Sequence, residues 1–249
     1  MWLYRKDGAT DWNYSGLSEV GDSIYYVKNG ILSWSFSGLV QYEDKWYYVG
    51  DGKVDNEFEG LVKYYDDLYY VKNGTISDDF CNLVKYDGDG LWYCIKDGRV
   101  WKNYTSLYLY DKTYYYVENG QLKTDGVYKI NGSWYAFADD GSMHANWASN
   151  QYRAKADGSL YCSEWYQDSN KKWYYYDENA KSVSGSVTIG KDTYQFDTEG
   201  VLYTNSVMYQ GVGIDLYKLT DGNGKLVETP GWLYGAGDWY YLLYYGSLF

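Results

Sequence analysis

The sequence has one proline, Pro230, in 249 residues. It has one histidine, His144, and that excludes a His-rich metal site. Its three cysteines, Cys81, Cys94 and Cys162, are odd in number and lack metal-ligand spacing, so they read as free thiols, with a Cys81–Cys94 bridge as the alternative. No stretch approaches the ~18 apolar residues of a membrane span. Basic residues are scarce too. Lys and Arg number 22 against 34 Asp and Glu, a net charge of -12. That excludes nucleic acid, which needs a basic surface, and an anionic membrane surface as partners. No apolar run periodic at 3.6 residues occurs, so no amphipathic helix is expected. The first residues, "MWLYRKDGAT", lack an apolar leader core and begin partway through a repeat. The expectation is a piece of a longer secreted or surface protein.

What the chain does have is tyrosine, tryptophan and glycine: 36, 12 and 28 residues, against 6 Phe. Aromatics with a polar edge pack on one side and meet water or a ligand with the other. They recur in register. "WYYVGDGKV" (Trp46 to Val54) returns as "IYYVKNGIL", "LYYVKNGTI" and "YYYVENGQL". Val27, Val49, Val71, Ile95 and Val117 stand 22, 22, 24 and 22 residues apart. Tyr14, Phe36, Phe58, Phe80 and Tyr104 keep the same step, as do Leu17, Leu39, Leu61, Leu83 and Leu107. Fixed self-similarity of this length marks a repeat architecture.

Asn-Gly and Asp-Gly pairs punctuate the repeats, from Asp7-Gly8 to Asp157-Gly158. Both residues tolerate the positive φ of a two-residue hairpin turn. Glu199-Gly200, Asn223-Gly224 and Tyr245-Gly246 keep the glycine, while Asn179-Ala180 loses it and predicts another turn type. One hairpin cannot bury its aromatic face, but stacked hairpins can. The predicted fold is all-β, a solenoid of about twelve hairpins. Residues 1–120 carry the 22-residue wording, and residues 121–249 continue it in a second wording.

The second wording resembles a known superfamily. "SEWYQDSNKKWYYYDENAKSVSG" (Ser163 to Gly185) and "PGWLYGAGDWYYLLYYGSLF" (Pro230 to Phe249) are similar to the cell-wall-binding repeats of Gram-positive surface proteins. That superfamily includes choline-binding repeats, glucan-binding repeats and clostridial toxin C-terminal repeats. The likeness is closer in the second half than in the first, where "GLVKY" replaces Gly-Trp. It implies a β-solenoid with ligands held between successive hairpins. In the choline-binding branch, two tryptophans and a tyrosine of the next hairpin form an aromatic cage for a quaternary ammonium.

Transferred residue by residue, the resemblance gives one full cage: Trp165, Trp173 and Tyr194, with Glu164 where the glycine should be. Trp232 and Trp239 repeat the first two members, and Trp134 and Trp147 match in part. In the first half Leu17, Leu39, Leu61, Leu83 and Leu107 hold the Gly-Trp position, so choline is not expected there. Trp46 and Trp92, with Tyr42, Tyr64 and Tyr86, are candidates for stacking on sugar rings, or else they are solenoid core. His144 reads as an exposed loop residue. Asp87-Gly88-Asp89-Gly90 fails as a calcium loop because Leu91 stands at a ligand position, and it reads as a turn insertion.

No nucleophile elbow, phosphate loop or catalytic constellation appears. The expected role is non-catalytic binding of a bacterial cell-wall glycan or glucan-like polysaccharide, at the surface or after secretion, without cofactor or metal. The alternatives are choline on teichoic acid, limited to the second half, and a stalk that binds nothing.

Overall fold

In a computed structural model, residues 2–209 and 217–242 are described, and they contain strands and turns but no helix. The chain divides into two compact units, Met1–Gly126 with Phe137–Met143, and Val127–Ala136 with His144–Phe249.

The first unit repeats one three-strand device. In the copy that carries "WYYV", Gly38–Tyr42 pairs antiparallel with Lys45–Gly50 over five residue pairs, Gly38↔Val49 to Tyr42↔Lys45. The Asp51-Gly52 turn then leads into Lys53–Val54, which pairs back over two residues. The Asp-Gly turns therefore close only a short return. The long hairpins close one strand earlier, at Glu43-Asp44 and its equivalents. The sequence reading placed a two-stranded hairpin at each glycine turn; that pairing is present here, as in Val49↔Val54 and Gly50↔Lys53, but the longer hairpin one strand earlier was not read. The reason is chemical: the long-hairpin turns put Glu43 (φ 53) and Tyr65 (φ 52) in the left-handed region, residue types that give no turn signal. In the second unit the glycine turns close single bridges such as Phe196↔Leu202. Ala180 departs from expectation as well. It takes the left-handed conformation (φ 59) that glycine holds in the sister turns, fully buried, and Asp177 Oδ1 accepts from Asn179 N and Lys181 N as Asp197 Oδ1 does from Glu199 N and Val201 N. The turn type is unchanged. The Tyr245-Gly246 turn lies outside the described residues.

Neighbouring repeats are joined by single bridges from the second strand of one copy to the return of the next: Tyr25↔Lys53, Tyr47↔Thr75, Tyr69↔Arg99 and Tyr93↔Gln121. These bridges link the strands from Gly16–Val20 to Gln121–Lys123 into one sheet of 15 strands, while Arg5–Lys6 and Ala9–Thr10 pair apart from it. The turn glycine sits at the closest approach. A Cβ on Gly52 would lie 2.4 Å from the Ser33 carbonyl oxygen, and one on Gly74 2.5 Å from that of Asp55. The Gly52 amide donates to the Phe36 carbonyl at 2.9 Å, and the Gly52 carbonyl accepts from Tyr26 N at 2.8 Å.

Both faces of the "WYYV" strand are packed. The leucine of each copy packs on the valine or isoleucine of the next: Leu17 on Val49, Leu39 on Val71, Leu61 on Ile95, Leu83 on Val117. Val49, Val71 and Val117 have no exposure at all. Tyr26, Tyr48 and Tyr70 stack on Phe36, Phe58 and Phe80 with centroids 4.0, 3.8 and 3.6 Å apart. The three sequence markers are thus the core rows. The cysteines are free, with Cys94 buried and Cys81 exposed.

Candidate functional site

In the second unit, Glu164–Gln167 pairs with Trp173–Tyr176 in the register Trp165↔Tyr175 and Gln167↔Trp173. Asp168 closes the hairpin by accepting from Lys172 N and Asn170 N through Oδ1. The next hairpin, Gly185–Ile189 with Asp192–Phe196, brings Tyr194, and Tyr194 bridges to Lys225 of the following return. This is the same junction that Tyr69↔Arg99 makes in the first unit.

Trp165, Trp173 and Tyr194 come together at this junction. Trp165 stands edge-on to Trp173 (6.4 Å between centroids, 85°) and to Tyr194 (4.9 Å, 67°). They line a cleft of about 320 Å³ whose other walls are Leu202, Thr204, Gly222 and Asn223. None of these walls carries a formal charge. Trp173 offers its face to solvent at 39% exposure. Trp165 is half-buried and lies near-parallel to Phe196, centroids 5.9 Å apart at 29°. It makes toward Phe196 the contact that Leu39 makes toward Val71, with larger side chains on both sides. Glu164 does not serve the cleft. Its carboxylate pairs with Lys155 at 2.9 Å.

The remaining candidates lie apart from this cleft. Trp134 packs on the cluster Ala136, Ala154, Leu160 and Ala180, and its Nε1 donates to the Glu178 carbonyl at 3.1 Å. Trp147 stacks on His144 at 4.1 Å and 5°, so His144 is half-buried rather than the exposed loop residue the sequence suggested. Trp232 and Trp239 are 66% and 62% exposed, each edge-on to a tyrosine across its hairpin, Tyr241 and Tyr234. Trp92 is exposed at the start of Trp92–Lys96.

Trp46 lines a cleft of about 370 Å³ at the Tyr69↔Arg99 junction, with Leu39 at its base. Here Leu39 holds the place of Trp165, Trp46 that of Trp173 and Tyr69 that of Tyr194. Tyr64, from the end of the strand Gly60–Tyr64, stands edge-on to Trp46 (4.8 Å, 64°) and to Tyr69 (6.5 Å, 70°). One central ring again faces two others. Asp78, Asp97 and Arg99 form the rim. Sequence reasoning named Tyr64 only for stacking on sugar, because the position has no counterpart in the cage pattern.

The family model of choline-binding repeats matches residues 13–33, 35–55, 57–77, 79–100 and 103–123. Over these five stretches the chain is similar to choline-binding repeats. The matched copies lie in the half whose wording looked the looser, since their leucines and valines occupy the core rows that the repeat needs. Among solved structures, CbpJ from Streptococcus pneumoniae TIGR4 is 18% identical over 94% of each chain, with a TM-score of 0.53. The choline-binding domain of CbpL from Streptococcus pneumoniae is 21% identical over 79% of this chain and 100% of its own, with a TM-score of 0.50. At these identities the likeness is one of fold. No curated protein matches.

Proposed function

We propose that the chain is a non-catalytic cell-wall-binding module of a surface or secreted protein, and that the cleft of Trp165, Trp173 and Tyr194 takes a quaternary ammonium such as the choline of teichoic acid. The observation that carries this reading is the set of three rings meeting edge-on around an uncharged, open cleft. A trimethylammonium group is too diffuse for an ion pair and too polar for an aliphatic pocket. Ring faces satisfy it at ~0.5–2 kcal/mol each, which puts a three-ring site in the millimolar range. Several weak sites on one repeat array then act together through avidity. The cleft of Trp46, Tyr64 and Tyr69 supports a second ammonium site, since Tyr64 supplies the ring that Leu39 lacks and the rim, Asp78 and Asp97 against Arg99, keeps a net negative charge.

The test is titration of choline against intrinsic tryptophan fluorescence of the whole chain. The reading expects saturable millimolar binding that Trp173→Ala weakens strongly, with the remainder removed by Trp46→Ala. Absence of saturable binding removes the ammonium reading and leaves wall glycan as the ligand.

A further inference from the structure

Two successive tyrosine junctions of the first unit open a groove at the same place, yet the groove chemistry differs between them. At Tyr69↔Arg99 the groove presents Trp46, Tyr64, Asp78 and Asp97. One repeat on, at Tyr93↔Gln121, a groove of about 420 Å³ presents Leu68 where Trp46 stood and Tyr86 where Tyr64 stood. Lys102 replaces Asp78, Asn119 replaces Asp97, and Gln121 replaces Arg99. The tryptophan face is gone, and the lining passes from a net negative charge, Asp78 and Asp97 against Arg99, to none. An ammonium ligand is disfavoured on both counts.

The second groove is held by a network of its own. Lys102 is fixed by the Asp67 carboxylate and by the Asp66 carbonyl, to which its Nζ donates at 2.8 Å. The Asp87–Gly90 insertion supplies Asp89, which accepts from Leu91 N at 2.9 Å and from the Tyr93 hydroxyl at 2.7 Å. Gly88 of that insertion rests on the Tyr86 ring so closely that a Cβ would lie 2.4 Å from it. The insertion therefore orients both tyrosines of the groove. Lys63 and Lys102 balance Asp66 and Asp89, so the lining is polar with no net charge. Two ring surfaces, two side-chain amides and balanced charges suit a ring with an apolar face and a hydroxyl edge.

We infer that the groove bounded by Leu68, Tyr86, Tyr93, Lys102 and Gln121 is a subsite for a neutral saccharide ring, separate from the ammonium clefts. It rests on the reading of the chain as a wall-binding module but not on the choline cage. The experiment is calorimetric titration of the whole chain with four neutral oligosaccharide series: cello-, malto-, isomalto- and chito-oligosaccharides. At least one series binds. Lys63→Met and Gln121→Ala each weaken it about tenfold, the loss of one good hydrogen bond, while far-ultraviolet circular dichroism and melting stay as in the parent. Trp173→Ala and saturating choline leave saccharide binding unchanged. The inference is overturned if no series binds, if both groove variants bind like the parent, or if Trp173→Ala abolishes saccharide binding. Saccharide binding without choline binding would keep this subsite and remove the ammonium reading, and the reverse would remove the subsite alone.

Discussion

The Trp101 indole stacks on the Tyr104 ring, centroids 4.4 Å apart at 29°, and fills the space that a tyrosine fills in three earlier repeats. Cys94 holds the tyrosine position there and is fully buried. Trp101 N donates to the Cys94 carbonyl at 2.9 Å, as Ser33 N, Asp55 N and Ser77 N donate to Tyr26, Tyr48 and Tyr70. The fourth copy has exchanged Tyr and a small residue for Cys and Trp. The ring now enters from the return loop instead of the strand.

Alignment of the repeats alone suggests that Cys94→Tyr would stabilise the protein by restoring a missing ring, but the Trp101 indole already stacks there on Tyr104. The space is already occupied. Cys94→Tyr alone should cost about 1–3 kcal/mol through overpacking. Trp101→Ser alone should cost about 3 kcal/mol through the cavity it leaves. The double variant restores the pattern of the other copies and should be more stable than the sum of the singles by about 2 kcal/mol. Thermal unfolding of the four proteins measures this. Additive losses would show that the two side chains do not share the space.

The repeat itself was legible because the three marker rows are the core rows, and period plus hydrophobicity is what burial imprints on a sequence. The choice of hairpin was not. Glycine turns advertise themselves, whereas Glu43 and Tyr65 take left-handed φ under the pull of five flanking strand pairs and carry no local signal. The meeting of Trp165, Trp173 and Tyr194 was legible through the family pattern. Tyr64 was not, because its role depends on a neighbouring strand end. Nor was the pairing of Glu164 with Lys155, which long-range geometry decides.

Glycine at the turn has two duties, and the second is invisible in the sequence. Gly52 has φ 77, and its missing Cβ lets the Ser33 carbonyl approach. Gly8 has φ 83 with open space around it. Gly8→Ala should therefore cost only the backbone term, about 1–2 kcal/mol. Gly52→Ala should cost about 3 kcal/mol or more, because the junction backbone must also move. Melting temperatures of the two variants decide it, and equal losses would contradict the close approach.

Alkaline pH should loosen the first unit. Burial, then a hydrogen bond to Glu59, pushes the Tyr70 hydroxyl up to about 12. Burial, then the hydrogen bond to Asp89, does the same for Tyr93. Each group binds its proton more tightly folded than unfolded, where the ordinary value is 10.0. Their contribution is whole below pH 10 and is lost as pH rises toward 12. Denaturant unfolding from pH 8 to pH 12 should show stability falling across that window, with a shallower fall in Tyr70→Phe. Stability that stays flat to pH 12 would contradict the raised values.

Stability and ligand binding should separate at one cage ring and travel together at the other. Trp173 projects into solvent at 39% exposure, and in the cleft its ring meets the edge of Trp165. Trp165 contacts Trp173, Tyr175, Tyr194 and Phe196 at once. Trp173→Ala should therefore lose choline affinity with a stability change of about 1 kcal/mol or less, as expected for a half-exposed ring. Trp165→Ala should lose the ligand and about 3–5 kcal/mol together, because it opens a cavity against Phe196. Trp165→Leu, which writes the first-unit residue into the second, should recover part of the stability and none of the affinity, since an aliphatic wall has no quadrupole to offer a cation. Melting curves and choline titrations on the three variants give both axes. If Trp165→Leu binds choline like the parent, the ring of Trp165 is core alone and the cleft needs only Trp173 and Tyr194.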